Sequence, residues 1–398
     1  MIDVLILGAG ASGLASSILI KRNNPHLDVV ILEKMKEVGK KVKATGNGRC
    51  NIGNLNLDKF LYNNPEFMEK VLEQVTIEKY KEFFMSLGIV LKEDEEGRLY
   101  PYCESAKQVV DILYNEARRL KVKVMTGTQV LNIKTNGNFK VITNNKEFEA
   151  KNLIIATGGA TYKVFGTDGA MFDILKNLKI TVRKSLPGLV PLKIKEELEG
   201  VRKEAQVKLY SSNKLVYLEV GEVQFRKNII SGIVIFNISS VITRNRYKDV
   251  VLELDLMMEY SECELYMLLK NIKELRQNDF IDIALSGLFN IVLLKFILDK
   301  AGITYEHKVM SLLTDEEIKS LTKTIKCLVF EPLGTSTLDD GQVTIGGVEI
   351  KEISDNFESK KIKNLYVLGE ALDIDGLCGG YNLYFAFASA IINANNFK

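Results

Sequence analysis

A short apolar run, Val4–Leu7, leads directly into Gly8-Ala-Gly10-Ala-Ser-Gly13, and that junction constrains the chain more than any other segment. An apolar-periodic helix follows to about Asn23. A second apolar run, Val29–Leu32, ends in Glu33, 20 residues beyond Gly13. Continuous apolar runs of this kind suit parallel strands buried on both faces. The order strand, glycine turn, helix, strand, acid is that of a dinucleotide-binding unit. Gly8 permits the tight turn, Gly10 lets the backbone approach a pyrophosphate, and Gly13 allows close helix–strand packing. The start of the helix, with Ala11 and Ser12, offers free N–H groups and a positive dipole end to the diphosphate. Glu33 can accept hydrogen bonds from a ribose. A ligand-free glycine turn would account for the glycines alone, but poorly for the whole unit. The unit does not distinguish FAD from NAD.

Three later segments bear on that choice. Asn152-Leu-Ile-Ile-Ala156-Thr157-Gly158-Gly159 reads as a buried strand ending in a glycine turn. Asn364-Leu-Tyr-Val-Leu-Gly369-Glu370 is another apolar strand, whose terminal acid can hold a ribityl or ribose hydroxyl. Gly376-Leu-Cys378-Gly379-Gly380-Tyr381-Asn382 then opens an apolar helix from Leu383 to about Asn393. A second helix N-terminus there can stabilise negative charge on a reduced flavin. A nucleotide site split between both ends of the chain is the arrangement of FAD-binding oxidoreductases. Structural turns at strand ends would explain one of these segments, and all three together only poorly.

Composition narrows the alternatives. Hydrophobic residues make up 46% and charged residues 26%, a globular balance that excludes disorder as the main state. A net charge of +2 advertises no global affinity for nucleic acid. The 5 cysteines contain no C-x-x-C pair and there are only 2 histidines, which argues against a disulfide scaffold, a zinc site or any multi-histidine metal centre. The N-terminus lacks the basic region of a targeting peptide. The longest apolar stretches, Asn228–Ile242 and Ser286–Leu298, fall short of the roughly 20 residues that span a bilayer. The expected location is cytoplasmic.

The glycine-rich blocks carry a resemblance. Gly39-Lys-Lys-Val-Lys-Ala-Thr-Gly46-Asn47-Gly48-Arg49-Cys50-Asn51, Gly97-Arg-Leu-Tyr-Pro101, Gln342-Val-Thr-Ile-Gly-Gly347, Glu358-Ser-Lys-Lys and the segment Leu365–Leu383 are similar to blocks of the BaiN/RdsA-type family of bacterial flavoproteins. That family includes ribosomal-RNA dihydrouridine synthases, bile-acid ene-reductases and proteins labelled aminoacetone oxidases. The resemblance runs along nearly the whole chain. It implies an α/β fold: a Rossmann-like FAD-binding domain formed by both chain ends (residues 1–188 and 335–398), an inserted β-rich domain (189–258), and a small helical domain with its return segment (259–334). The residues agree independently. Gln206–Tyr210 and Val250–Leu254 are β-like, whereas Leu265-x-x-Leu268-Leu269, Leu293-Leu-x-x-Ile297-Leu298 and the cap at Thr314 read as helical. No second glycine fingerprint marks a separate NAD(P)H domain, so NAD(P)H is expected as a transient reductant. One departure concerns the family's Phe-Thr-His and Ser-Gly-Pro segment. Here it reads Phe225-Arg-Lys-Asn-Ile-Ile-Ser231-Gly232-Ile233, without the histidine and the proline.

Flavin chemistry asks little of side chains, because the ring carries the hydride. The loop Gly46, Asn47, Gly48, Arg49, Cys50 and Asn51 is expected to wrap the flavin, although Asn and Gly also favour turns in their own right. The other cofactor candidates are Lys34, Lys41, Ala156, Thr157, Gly158, Gly369, Glu370, Asp375, Gly379, Gly380, Tyr381, Asn382 and Leu383. Cys378 or Tyr381 is the candidate proton donor. Cys50 and Cys378 could form a redox dithiol, but two separate thiols are the commoner outcome. Lys34, Lys36, Lys40, Lys41, Lys43 and Arg49 crowd one stretch against Glu37 alone. Lys40 or Lys41 can neutralise the diphosphate. The rest can guide an RNA backbone or form a solvated face.

The resemblance therefore implies an NAD(P)H-driven FAD oxidoreductase. Its first reading is reduction of uridine to dihydrouridine in 23S ribosomal RNA, with that RNA as partner. The alternatives are a small-molecule ene-reductase of steroid-like enones, an amine oxidase using O2, with Asp373 or Asp375 near the flavin, and a flavin-containing sensor without turnover.

Overall fold

The computed structural model describes residues 1–397. They form two compact units, one made of residues 1–188 with the described residues from Thr337 onward, the other of Leu189–Ser336.

The first unit is built on a seven-stranded sheet. Five strands run parallel in the order Lys123–Met125, Val29–Leu32, Ile2–Leu7, Glu147–Ile155 and Leu365–Val367. Both ends of the chain thus contribute to one sheet. Two further strands, Val130–Asn136 and Asn138–Thr143, continue it as an antiparallel meander along the first half of Glu147–Ile155. Val4–Leu7, Val29–Leu32 and Leu365–Val367 are buried throughout and apolar apart from the Tyr366 hydroxyl. Helix Ala11–Asn23 packs against Ala106–Arg119 and against the last helix, Tyr381–Asn393. Ala11–Asn23 is buried along most of its circumference, which its small residues Ala11, Ser12, Gly13, Ala15, Ser16 and Ser17 permit. A smaller three-stranded sheet, Gly53–Asn54, Arg98–Pro101 and Leu91–Glu93, and the strand pair Val182–Gly188 with Val343–Val348 complete this unit.

The second unit holds a six-stranded antiparallel sheet in the order Leu328–Phe330, Val250–Asp255, Arg202–Ser211, Lys214–Ser231, Leu192–Glu197, Gly334–Thr335. Helices Glu262–Leu275, Ile291–Lys300 and Asp315–Lys326 share one hydrophobic core with it, so sheet and helices here are a single packed body. The Thr314 cap is a full capping box with Glu317. Inside the segment read as β-rich lies a helix, Ile233–Asn245. Its β-branched residues imitate a strand, yet Val234, Ile235, Ile238 and Ile242 bury one helical face. Among the described residues no helix is long and apolar enough to cross a membrane, and no His/Cys/Asp/Glu group is arranged for a metal.

Candidate cofactor and active site

The parallel strands end level with one another. Gly8 N donates to Leu32 O (2.8 Å), Ala156 N to Leu7 O (2.8 Å) and Leu368 N to Ile155 O (2.9 Å). Gly8, Glu33, Ala156–Gly158 and Gly369–Glu370 therefore emerge along one carboxyl edge, the place where open α/β sheets bind ligands.

The three fingerprint glycines serve different purposes there. Gly8 has φ +103°, and a Cβ on it would lie 2.3 Å from Ala156 O. A Cβ on Gly13 would lie 2.0 Å from Gly8 O, whereas at Gly10 nothing lies within 4 Å. Gly8 and Gly13 are packing necessities, and Gly10 leaves open space. Helix Ala11–Asn23 has no side-chain cap and no acid in its first turn. The N–H groups of Ala11, Ser12 and Gly13 are thus left for an outside acceptor. Glu33 is held from both sides, Oε2 accepting from Ala9 N (2.9 Å) and Oε1 from Met35 N (2.8 Å). Each carboxylate oxygen keeps a further acceptor site for a ribose hydroxyl. Thr157 Oγ1 is buried and has no hydrogen-bond partner within the protein. An open diphosphate cradle, an uncapped helix start, a fixed carboxylate and an orphaned hydroxyl on one edge fit FAD.

The second half of the site is a latch between residues 41–63 and the end of the chain. Lys41 Nζ contacts both oxygens of Glu370 (2.8 and 2.6 Å) and Thr161 Oγ1 (2.9 Å). Thr344 N donates to the same carboxylate (2.8 Å). Lys41 and Glu370 thus satisfy each other, which fixes the loop opening at Gly39 to the strand end at Gly369. Gly46 and Asn47 take consecutive left-handed conformations (φ 57° and 53°). Asn47, Gly48 and Arg49 are exposed, and the Arg49 guanidinium sits 4.8 Å from the Tyr100 ring centroid. Cys50 is fully buried, and that burial pushes its thiol up to about 12. Asn51, with its amide oriented to satisfy its neighbours, donates to Gly53 O (2.9 Å) and accepts from Gly380 N (3.2 Å).

Further contacts seat the glycine-rich C-terminal loop. Asn54 Nδ2 donates to Gly379 O (3.1 Å), Tyr62 Oη to Tyr381 O (3.1 Å) and Asn63 Nδ2 to Asp373 O (3.0 Å). Asp375 N donates to Asn63 Oδ1 (3.0 Å). Asn382 turns back on its own loop, with Oδ1 accepting from Gly376 N and Nδ2 donating to Gly376 O (both 2.9 Å). The last helix begins at Gly380 (φ 100°) with neither side-chain cap nor acid in its first turn, so the N–H groups of Tyr381, Asn382 and Leu383 form a second electropositive end. Tyr381 is buried, its ring edge-on to Tyr62 at 6.0 Å, and burial raises its hydroxyl pKa.

The structure thus gathers Gly8 to Gly13, Glu33, Ala156 to Gly158 and Gly369 on the sheet edge; a Cβ on Gly369 would lie 2.4 Å from Ser12 Oγ. It joins loop 46–51 to Gly379–Leu383. Other candidates are engaged elsewhere. Lys34 pairs with Asp168 (2.7 Å), and Lys43 with Glu37 (3.3 Å). No disulfide joins any of the five cysteines; Cys50 is buried and Cys378 half-buried. Asp373 accepts from Gly346 N (3.1 Å) and pairs with Arg183 (3.0 Å). Asn54, Tyr62 and Asn63 are positioning residues that sequence reasoning missed. Their partners lie more than 300 positions away, and no local pattern marks them.

The sequence profile of the family described as HI0933-like protein Rossmann domain matches residues 2–396. The chain is 32% identical to a 3-dehydro-bile acid delta(4,6)-reductase of Clostridium scindens over 97% of each protein. It is 29% identical to a ribosomal RNA dihydrouridine synthase of Escherichia coli, covering 98% of this chain and 96% of that protein. Among solved structures, a quinol–fumarate reductase with menaquinol molecules matches with a TM-score of 0.50 at 14% identity, covering 99% of this chain and 70% of that one, a likeness of fold alone. The fingerprint, the split nucleotide edge and the full-length match lead to one identification: the chain belongs to the HI0933-like Rossmann family and is an FAD-dependent oxidoreductase.

Proposed function

We propose that the protein reduces a carbon–carbon double bond conjugated to a carbonyl in a small, largely apolar molecule, with NADH or NADPH as the source of electrons. Bound FAD would take two electrons from the nicotinamide and deliver them as a hydride to the alkene. The protein's own residues have three tasks. The N–H groups of Ala11, Ser12 and Gly13 hold the diphosphate. The start of helix Tyr381–Asn393 accommodates negative charge. The proton that completes the saturated bond comes from the Tyr381 hydroxyl or the Cys378 thiol. Tyr381 suits the role in one respect, since burial keeps its hydroxyl protonated at neutral pH.

The observation that carries the small-molecule reading is the neutralisation of the basic run. Lys34, Lys41 and Lys43 each have a carboxylate partner, leaving Lys36, Lys40 and Arg49 as a thin track for a polyanion. Likeness to a bile-acid reductase supports the same choice. A second reading, reduction of a uracil base in ribosomal RNA, is favoured by the likeness to the Escherichia coli synthase and would use those three cations. The amine-oxidase reading keeps only Asp375 of its two carboxylates, because Asp373 is buried and committed to Arg183 and Gly346.

Anaerobic turnover tests the proposal. Holoprotein, NADH or NADPH and a 3-oxo-4,6-diene steroid should yield a product two mass units heavier per bond reduced. Conversion of a dihydrouridine-free ribosomal RNA fragment, with the steroid untouched, would replace it by the second reading. Tyr381→Phe should slow alkene reduction without altering reduction of the flavin by nicotinamide; equal rates would remove Tyr381 as donor.

A further inference from the structure

A guanidinium lies near the candidate proton donor Tyr381 and takes no part in the diphosphate cradle or the Lys41–Glu370 latch. It belongs to Arg98, whose strand pairs with Gly53–Asn54 so that Arg98 lies directly opposite Asn54. Side chains opposite one another in an antiparallel pair share a face. On that face Asn54 Nδ2 reaches Gly379 O (3.1 Å), and a Cβ on Gly379 would lie 3.1 Å from Tyr381 Cε2. Arg98, Asn54, Gly379 and Tyr381 are thus successive neighbours, all within the first unit. Burial raises the Tyr381 hydroxyl pKa and the positive charge of Arg98 opposes that rise, so the charge is within reach of the hydroxyl.

The turn before Arg98 fixes its position. Asp94 Oδ1 accepts from Glu96 N (3.0 Å) and from Arg98 N (2.9 Å), and Gly97 N donates to Asp94 O (3.0 Å). Gly97 completes the turn at φ +75°, where a Cβ would lie 2.8 Å from Asn56 Nδ2. The Arg98 side chain is only 15% exposed, and it pairs with Asp94 (3.7 Å) and with Glu96, both acids of its own turn. Glu96 is 66% exposed, so water competes for its carboxylate. These ion pairs restrain the guanidinium and use only part of its planar donor set. A largely buried cation with N–H groups to spare, near a hydroxyl that can give a proton, suits a substrate oxygen that gains negative charge during the reaction.

We propose that Arg98 binds the carbonyl oxygen of the conjugated substrate and holds the enolate formed from it, with Tyr381 giving its proton to the adjacent carbon. This assignment rests on the alkene reduction proposed above. When hydride, drawn from NADH or NADPH through FAD, forms a C–H bond at the β-carbon, the alkene electron pair moves towards the carbonyl and leaves an enolate oxygen at Arg98. The α-carbon then takes the Tyr381 proton, the carbonyl is restored, and the phenolate regains a proton from water. Asp94 and Glu96 orient the cation, and Glu96 also competes with the substrate oxygen for it.

A phenolate imitates the enolate oxygen without being turned over. Oxidised, FAD-loaded protein would therefore be titrated with para-chlorophenol at mildly alkaline pH, with flavin absorbance as the readout. Arg98→Gln should raise the Kd about tenfold or more, Arg98→Lys should lie between it and the wild type, and Glu96→Gln should lower the Kd several-fold. Opposite signs for Arg98→Gln and Glu96→Gln distinguish a ligand-binding cation from a turn that both residues merely hold together. Equal affinity of wild type and Arg98→Gln, or weakening by both variants, overturns the proposal. Anaerobic single turnover gives a second readout. Arg98→Gln should slow flavin reoxidation by a 3-oxo-4,6-diene steroid by about a hundredfold, while flavin reduction by nicotinamide and the melting temperature stay as in the wild type. Undiminished reoxidation in Arg98→Gln overturns the proposal. A wild type inert towards the dienone overturns the alkene-reduction reading instead, and the phenol titration then decides on Arg98 by itself.

Discussion

Gly10 and Gly13 occupy one turn but should respond differently to the same added methyl group. Gly10 has φ −87°, open to any residue, and free space around its Cβ position. Gly10→Ala should leave the thermal stability of the apoprotein nearly unchanged and weaken FAD binding about tenfold or more, by roughly 1.4 kcal/mol or above. Gly13→Ala drives a methyl into Gly8 O and should destabilise the apoprotein itself. Equal effects on apo stability would mean that Gly10 is a packing glycine. Cys50 gives a second residue-scale expectation. A fully buried thiol pushed up to about 12 should resist alkylation in the native state, while the exposed Cys103 and Cys263 react and Cys327, pushed up to about 11 by partial burial and by Glu253, lags behind them, as peptide mapping after iodoacetamide would show. These roles differ in how visible they are in the sequence. The fingerprint glycines and Glu33 announce themselves because a local backbone requirement fixes their spacing. Lys41 was visible as a cation, but its partner Glu370 is 329 positions away, so its ion pair could not be read.

Elements were legible where one period governs them. Val29–Leu32 and the helix to Asn23 have the extents that their apolar runs and flanking breakers suggest, and the first strand extends the run Val4–Leu7 back to Ile2. Helix Ile233–Asn245 was not legible, because strings of Ile and Val favour strands locally and only packing on the sheet decides for the helix. Packing between elements also sets a pH dependence. Arg22 on the first helix bonds Glu116 on helix Ala106–Arg119 (2.7 Å) and Ser86 Oγ (2.8 Å). Arg119 and Arg22 hold the Glu116 carboxyl well below the usual range, at about 2. A depressed carboxyl stabilises the fold fully above its unfolded pKa near 4.5 and loses that contribution as pH falls towards 2. Glu116→Gln should therefore lower stability near neutral pH by on the order of 1 kcal/mol, a modest figure because Arg119 is largely exposed. The gap from wild type in urea melts should close on acidification through that window. A constant gap would show that the ion pairs contribute nothing.

On the scale of the whole molecule, the strand at the start of the chain and the strand at its end flank Glu147–Ile155 in one sheet. A ligand bound along that edge therefore links distant parts of the chain. FAD at a hundred times its Kd should stabilise this unit by about 2.7 kcal/mol, seen by calorimetry as an upward shift of its transition. Truncation before Leu365 removes a sheet strand and the last helix, and should abolish flavin binding. The most direct measurement is anaerobic stopped-flow spectroscopy of the reduced holoprotein. It would be mixed in turn with a 3-oxo-4,6-diene steroid, a dihydrouridine-free ribosomal RNA fragment, and O2. The prediction is that the dienone reoxidises the flavin fastest and gives one saturated bond per flavin. Reoxidation by O2 alone, with no saturated product from either alkene, would contradict it.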